Sequence, residues 1–142
     1  MAQTQKPTNL GYAEIAKCIA SVTTAMLASG SGVKSVVGLT GACTAAEAST
    51  FLNPGGATKL AANGFTLVNA DSVVTSQTTV ADDTVELDHI FTASGTQSVS
   101  GFAIENDDDD VVIAECCFNA AVECENGDTL TVEMKLQFKL GA

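Results

Sequence analysis

The sequence predicts a mainly β protein: an antiparallel β-sandwich, jelly-roll-like, or an open barrel, with one N-terminal helix. Three observations support this fold class. From Gly64 onward, apolar residues tend to recur at every second position, as in strands that bury one face. No helical pattern separates these strands, so the crossovers that parallel pairing requires are missing. One segment near the N-terminus has helical spacing instead.

That segment runs from Asn9 to about Ala28 and is predicted to be the single helix. Ile15, Cys18 and Ile19 recur at three- and four-residue spacing, which places them on one helical face. The side chain of Asn9 is suited to cap the first turn. We therefore expect a short amphipathic helix that packs against the β-rich remainder.

Between this helix and Gly64 the pattern is less regular. The β-branched run from Val33 to Leu39 predicts a strand. Thr44 to Glu47 has the form of a capping box and predicts a single helical turn. Asn53-Pro54-Gly55-Gly56 is the strongest break in the chain and indicates a long loop.

The C-terminal half predicts a series of strands joined by short turns. The segment Phe65 to Val80 predicts one long strand or two, with a kink near Asn69-Ala70-Asp71. The other predicted strands are Val85 to Phe91, Ser98 to Glu105, Val111 to Phe118, and Leu130 to Leu140. Turn signals stand at Ser94-Gly95-Thr96 and Asn126-Gly127-Asp128. The last strand alternates apolar and polar residues throughout, so it predicts one buried and one solvated face.

Length and charge limit the organisation and the partners. The 142 residues fit one domain, which we divide into an N-terminal arm, 1–9, and a single β-rich domain, 10–142. The net charge is −11 and all six basic residues are Lys. Such a chain is repelled by nucleic acid and anionic lipid, and no apolar run is long enough to span a membrane. We expect neither a nucleic-acid nor a membrane partner.

The acidity is confined to one half of the chain. Residues 1–81 carry four Lys against three acids, a balance of +1, and residues 82–142 carry two Lys against 14 acids, a balance of −12. The acidic half is predicted to form a solvent-facing sheet surface with its hairpin tips. The nearly neutral half is the better candidate for contact with a partner.

Five cysteines are present, at 18, 43, 116, 117 and 124. Because the count is odd and two are adjacent, the pattern does not resemble a secreted disulfide framework. The polar N-terminus lacks a secretory signal. We therefore expect synthesis in a cytoplasm, with reduced thiols. No CxxC pair is present, which argues against zinc, and adjacent cysteines in a strand point to opposite faces.

The most distinctive local feature is the run Asp107, Asp108, Asp109 and Asp110. Four consecutive carboxylates repel one another, so they are either solvated at a hairpin tip or held by a hard cation such as Ca²⁺. The spacing of an EF-hand is absent. The turn is thus a candidate calcium site, and no other cofactor is expected.

The residues that catalysis usually requires are scarce. His89 is the only histidine and lies on the apolar side of its strand, which favours a structural role. No GxSxG or phosphate-loop motif is present. Sugar cleavage sites usually carry aromatic platforms, and the chain has no Trp. We expect the protein not to be an enzyme.

Four segments carry a resemblance to a known class. They are Leu87 to Gly95, Val99 to Ile104, Val112 to Ala121 and Asn126 to Val132, and the N-terminal helix beginning at Gly11 is similar to that of the same class. In these segments the chain resembles small structural proteins of tailed bacteriophages. It departs from their pattern in lacking a Trp before the Gly-Phe strand and in its acidic tip.

The resemblance implies a virion protein that is made in the host cytoplasm and incorporated into head or tail. A capsid decoration subunit is the first expectation because the chain is short and has no fibrous repeat or coiled coil. Its partners would be its own copies and other virion proteins, bound through strand edges and the N-terminal arm. A tail-fibre or other tail subunit is the alternative within this class. A calcium-dependent adhesion or carbohydrate-binding module using Asp107 to Asp110 is the alternative outside it.

Overall fold

The computed structural model describes residues 3–8, 33–76, 84–106 and 111–137. In these ranges the elements are β1 Gln3–Pro7, β2 Val33–Thr40, a 3-10 turn Pro54–Gly56, β3 Thr58–Lys59, β4 Val68–Asn69, β5 Ser72–Ser76, β6 Thr84–Thr92, β7 Gln97–Asn106, β8 Val112–Cys124 and β9 Thr129–Gln137. The protein is mainly β, as the alternating pattern predicts.

The strands form two antiparallel sheets. The larger has six strands in the order β1-β8-β7-β2-β3, with β4 also paired to β2. The smaller has the order β5-β6-β9. The chain passes from the larger sheet to the smaller between Asn69 and Ser72, so β4 and β5 are consecutive in sequence but belong to different sheets.

One apolar cluster contains residues of both sheets and forms the main core, which we call the shared core. Its buried members are Val36, Leu60, Phe65, Leu87, Phe91, Ala93, Val99, Phe102, Ile104, Ala114, Cys116, Phe118, Cys124, Val132 and Met134. The ring centroids of Phe102 and Phe118 are 5.3 Å apart at nearly perpendicular planes. Because both sheets supply side chains, neither sheet can bury this face without the other.

A second cluster lies on the opposite face of the six-stranded sheet. Its buried residues are Val37, Leu39, Ala57, Ala103 and Val112, with Cys43 and Phe51 packed against them. The segment 41–57 therefore covers this face, and we call that segment the covering loop and the face beneath it the loop face. Both faces of β7 are buried in consequence, so β7 is buried continuously from Val99 to Asn106.

In the described part of the chain, the smaller sheet is covered on one face only. Along β6, Leu87, His89 and Phe91 are buried, whereas Asp88 and Ile90 are exposed. Strand β9 alternates in the same way, as its sequence predicts. The residues facing outward are mostly polar or charged, which confirms that part of the acidity lies on one solvent-facing sheet surface.

Most predicted strands and turns are confirmed, with two differences. In the described part of the predicted segment Phe65 to Val80, two strands, β4 and β5, lie on either side of Ala70-Asp71, where the kink is predicted. β8 extends beyond Phe118 to Cys124. The predicted helical turn Thr44 to Glu47 is wrong: Thr44 N donates to Gly55 O at 2.9 Å, which ties the two ends of the loop together instead.

Two predictions concern the N-terminal region. The helix from Asn9 to Ala28 lies outside the described residues. Of the arm, Gln3–Pro7 forms β1 and pairs with β8, from Gln3 opposite Phe118 to Pro7 opposite Ala114. Thr8 follows β1, is buried, and donates its hydroxyl hydrogen to Val112 O.

Candidate functional site

The loop face carries a buried charged group that the sequence pattern did not single out. Lys59 on β3 forms an ion pair with Glu105 on β7. The Glu105 side chain is completely buried and that of Lys59 is 20% exposed. Lys59 Nζ also lies 3.2 Å from the centroid of the Phe51 ring, where the π-electron face attracts a cation. The covering loop thus contributes directly to the environment of this pair.

A second buried carboxylate, Glu115 on β8, holds the covering loop. Its Oε1 accepts hydrogen bonds from Ala46 N at 2.6 Å and from Ser49 Oγ at 2.7 Å. Ser49 Oγ in turn accepts from Gly55 N at 3.0 Å. Hydrogen bonds to an ionised acceptor are stronger than neutral ones. Glu115 therefore anchors both arms of the loop to the sheet.

The same loop is joined to β8 covalently. Cys43 and Cys117 form a disulfide with a Cα–Cα distance of 5.4 Å across a sequence separation of 74 residues. The expectation of reduced thiols is therefore wrong for this pair. It failed because the spacing of the cysteines does not reveal that the covering loop folds back onto β8.

The remaining described cysteines, Cys116 and Cys124, are thiols on β8 and are both buried. Cys116 belongs to the shared core and its neighbour Cys117 to the loop face, which confirms that adjacent cysteines on β8 face opposite sides. Burial, together with the charges of Asp128 and Glu123, raises the pKa of the Cys124 thiol. Both buried thiols are in environments typical of structural rather than reactive cysteines.

The candidate calcium ligands Asp107 to Asp110 lie outside the described residues. The hairpin that contains them is closed at its base, where Asn106 N donates to Val111 O at 3.1 Å and Val111 N donates to Asn106 Oδ1 at 3.0 Å. Glu105 lies two residues before this run in sequence but forms its ion pair with Lys59. Within the described ranges no three His, Cys, Asp or Glu side chains form a metal-binding group.

His89 lies on the buried face of β6, as predicted. Its ring contacts Phe91 edge-on, with centroids 4.5 Å apart. His89 Nδ1 is 3.2 Å from Asp71 Oδ2, and the same oxygen accepts a hydrogen bond from Ile90 N at 2.9 Å. These contacts fasten the crossing between β4 and β5 to β6, which is a structural role.

A group of exposed apolar residues flanks that crossing. Leu67 just before β4, Val68 on β4, and Val73 and Val74 on β5 are each between 38% and 49% exposed. We call these four residues the edge patch. Among the described residues β4 pairs only with β2, and β5 only with β6. Each strand therefore has one side on which no described strand lies.

The sequence contained a usable signal for the buried carboxylates. Glu105 ends the apolar run Gly101-Phe102-Ala103-Ile104, and Glu115 lies within the apolar segment Val111 to Phe118. An acid inside such a run is either a solvated position on an amphipathic strand or a buried group that needs a partner. No comparable signal identifies Lys59, whose strand is only two residues long.

Comparisons with known proteins add no family. No protein-family model matches the chain, and neither the curated proteins nor the solved structures include a significant match. No helix in the described part of the chain is long and apolar enough to cross a membrane. The fold and these sites thus define a mainly β protein with a covalently fastened loop on one sheet and an apolar patch at its strand edges.

Proposed function

We propose that this chain is a β-sandwich structural subunit without catalytic activity, which assembles with its own copies and with other virion proteins. Specifically, the chain would be a capsid decoration subunit, made in the host cytoplasm and incorporated into the virion. The observation that carries the assembly role is the edge patch.

An exposed strand edge with apolar side chains favours association in two ways. Its unpaired backbone N–H and C=O groups can extend a sheet across to another chain. Its apolar side chains gain free energy when a partner removes them from water. Leu67, Val68, Val73 and Val74 supply the exposed apolar side chains within eight consecutive residues. Among the described strands, β4 and β5 each pair on one side only.

Charge favours the same surface for contact between copies. Residues 33–76 contain two Lys and two acids and are neutral, whereas residues 84–137 contain one Lys and twelve acids. Two copies that approach through their acidic surfaces repel each other. Approach through the neutral segment that carries the edge patch avoids this repulsion.

Sedimentation velocity of the purified chain over a range of concentrations tests the assembly role. We expect oligomers that dissociate in Val68→Lys and Val73→Lys, because each places a charge in the contact. Ile90→Lys is the matched control: Ile90 is 54% exposed and apolar, but it lies outside the edge patch. A wild-type chain that stays monomeric at every concentration, or an Ile90→Lys variant that dissociates equally, would contradict the edge patch as the contact.

Immunogold labelling of phage particles released by cells that encode the chain tests the position in the virion. Label on the heads supports a decoration subunit, and label confined to the tails supports the alternative of a tail subunit. Particles without label would overturn both.

The calcium-dependent adhesion or carbohydrate-binding module is separated from these proposals by thermal melting. That module is favoured if Ca²⁺ raises the melting temperature of the monomeric wild-type chain. The rise should then be absent in a variant with Asp107 to Asp110 replaced by Asn. Equal melting temperatures in Ca²⁺ and in a chelator would contradict the calcium-dependent module.

A further inference from the structure

Besides the apolar packing of Phe51 and Ala57, two kinds of contact hold the covering loop on the loop face. One is the Cys43–Cys117 disulfide. The other is the group of hydrogen bonds to Glu115 from Ala46 N and Ser49 Oγ. A thiol–disulfide exchange can break the first and leave the second in place.

The two kinds of contact are close in the chain and act on the same segment. In the covering loop, Cys43 is three residues before Ala46, and on β8 Cys117 is two residues after Glu115. The disulfide and the hydrogen bond from Ala46 N therefore join neighbouring parts of the loop and the strand. Gly55, whose N–H donates to Ser49 Oγ, packs against the disulfide: a Cβ at this position would lie 2.9 Å from Cys117 Sγ and 3.0 Å from Cys43 Sγ. Glu115 therefore keeps the two cysteines near each other independently of the bond between them.

We propose that the Cys43–Cys117 pair is a reversible redox switch that fastens and releases the covering loop while the two sheets stay folded. In the oxidised state the loop covers Val37, Leu39 and Ala103. In the reduced state only the hydrogen bonds to Glu115 and the non-covalent packing of the loop hold it, so the loop opens more often and the loop face becomes accessible. This inference does not depend on the proposed function.

A low-molecular-mass disulfide such as oxidised glutathione serves as the oxidant that forms the Cys43–Cys117 bond. The Cys117 thiolate attacks the glutathione disulfide, a mixed disulfide forms and one glutathione leaves. The Cys43 thiolate then attacks Cys117 Sγ of the mixed disulfide and expels the second glutathione. The two protein thiols lose two electrons and two protons, and one oxidised glutathione becomes two reduced molecules.

The effective concentration of the Cys43 and Cys117 thiols can be measured with glutathione. The full chain is equilibrated in buffers that differ in the ratio of reduced to oxidised glutathione, quenched with acid and analysed by mass spectrometry. We expect a value at least about tenfold above that of the same chain in guanidinium, because a flexible chain of this loop length reaches only the millimolar range. Equal values in the native and unfolded chain would overturn the proposal. A bond that is reduced only when the whole chain unfolds would overturn it as well, since the cysteines would then be purely structural.

Ser49→Ala tests the part played by Glu115. This variant removes a hydrogen bond to a buried carboxylate, so the effective concentration should fall about tenfold. Thr50→Ala is the matched control, because Thr50 is the next residue and its hydroxyl oxygen accepts a hydrogen bond from Asn53 N of the same loop. It should leave the value unchanged within about twofold. Equal values for Ser49→Ala and the wild type would contradict the role of Glu115 in holding the cysteines together.

Amide hydrogen exchange shows whether the loop opens alone. On reduction, or in Cys43→Ser, we expect the amides of Thr44, Ala46 and Gly55 to exchange at least about tenfold faster. The amides of β6 and β9 should keep their protection. Loss of protection in both regions would show that the disulfide holds the whole fold, and unchanged exchange in the loop would show that it does not control opening. Either result would overturn the switch.

Discussion

The two sheets place charged residues in opposite environments. On the outward face of the three-stranded sheet, Lys135 Nζ lies 3.1 Å from Glu86 and 3.5 Å from Glu133, and the Lys135 side chain is 52% exposed. On the loop face of the six-stranded sheet, Lys59 meets a completely buried Glu105. Water competes for the first group and hardly reaches the second. Similar pairs of residues therefore contribute very differently to stability.

Removing Lys59 is expected to have the largest effect. Lys59→Met keeps the length of the side chain but takes this cation from a buried carboxylate, which should lower the free energy of unfolding by about 3 kcal/mol. Urea denaturation monitored by circular dichroism measures this. Lys135→Met is the matched control on the other sheet, and its denaturation midpoint should equal that of the wild type.

A double variant separates loss of the ion pair from loss of packing. Adding Glu105→Gln to Lys59→Met removes the buried charge and should restore part of the stability. If the double variant is less stable than Lys59→Met, the Lys59 aliphatic chain matters more than its charge.

The next largest effect contrasts the two faces of one strand. Leu87 is fully buried in the shared core, and Ile90, three residues later on β6, is 54% exposed. Leu87→Ala should lower the free energy of unfolding by about 3 kcal/mol through lost burial and a cavity. Ile90→Ala should change it by less than about 0.5 kcal/mol. Comparable losses in urea denaturation would show that Ile90 is covered, for example in an assembly.

The difference between the sheets also explains how far the sequence predicts the fold. In β6 and β9 one face is solvated, so alternation between apolar and polar residues shows which face is buried. In β7 the loop face is buried as well, by residues that lie about fifty positions earlier. Periodicity reports the environment of a strand, but it does not identify the segment that covers it.

The same reason limits the prediction of the site. The surroundings of His89 follow from the alternation on β6 and are confirmed. The disulfide, the Lys59–Glu105 pair and the contacts of Glu115 all depend on how the covering loop folds back, which no local pattern records. The break at Asn53 to Gly56 indicates a long loop but not its destination.

A smaller effect tests whether the loop face is dry. Val37 is 1% exposed and belongs to the cluster beneath the covering loop. Val37→Thr has nearly the same shape but buries a hydroxyl, which should cost about 1 to 2 kcal/mol. The reverse change at an outward position, Thr131→Val on β9, is expected to be neutral because Thr131 is exposed. A neutral Val37→Thr in thermal and urea denaturation would mean that water reaches the loop face.

The smallest effect concerns the exposed pair itself. A hydrogen bond to Glu86 and the Glu86 charge raise the pKa of Lys135 above its ordinary value of 10.5. Because the folded pKa is the higher one, the pair's contribution to stability is complete below the unfolded pKa and is lost as pH rises through the folded pKa. Its loss is therefore confined to alkaline solution and does not affect stability at neutral pH. NMR titration of the Lys135 ε-protons should show the raised pKa, and Glu86→Gln should bring it back toward the ordinary value. If the pKa of Lys135 does not change in Glu86→Gln, then Glu133, whose carboxylate also lies near Lys135 Nζ, causes the increase.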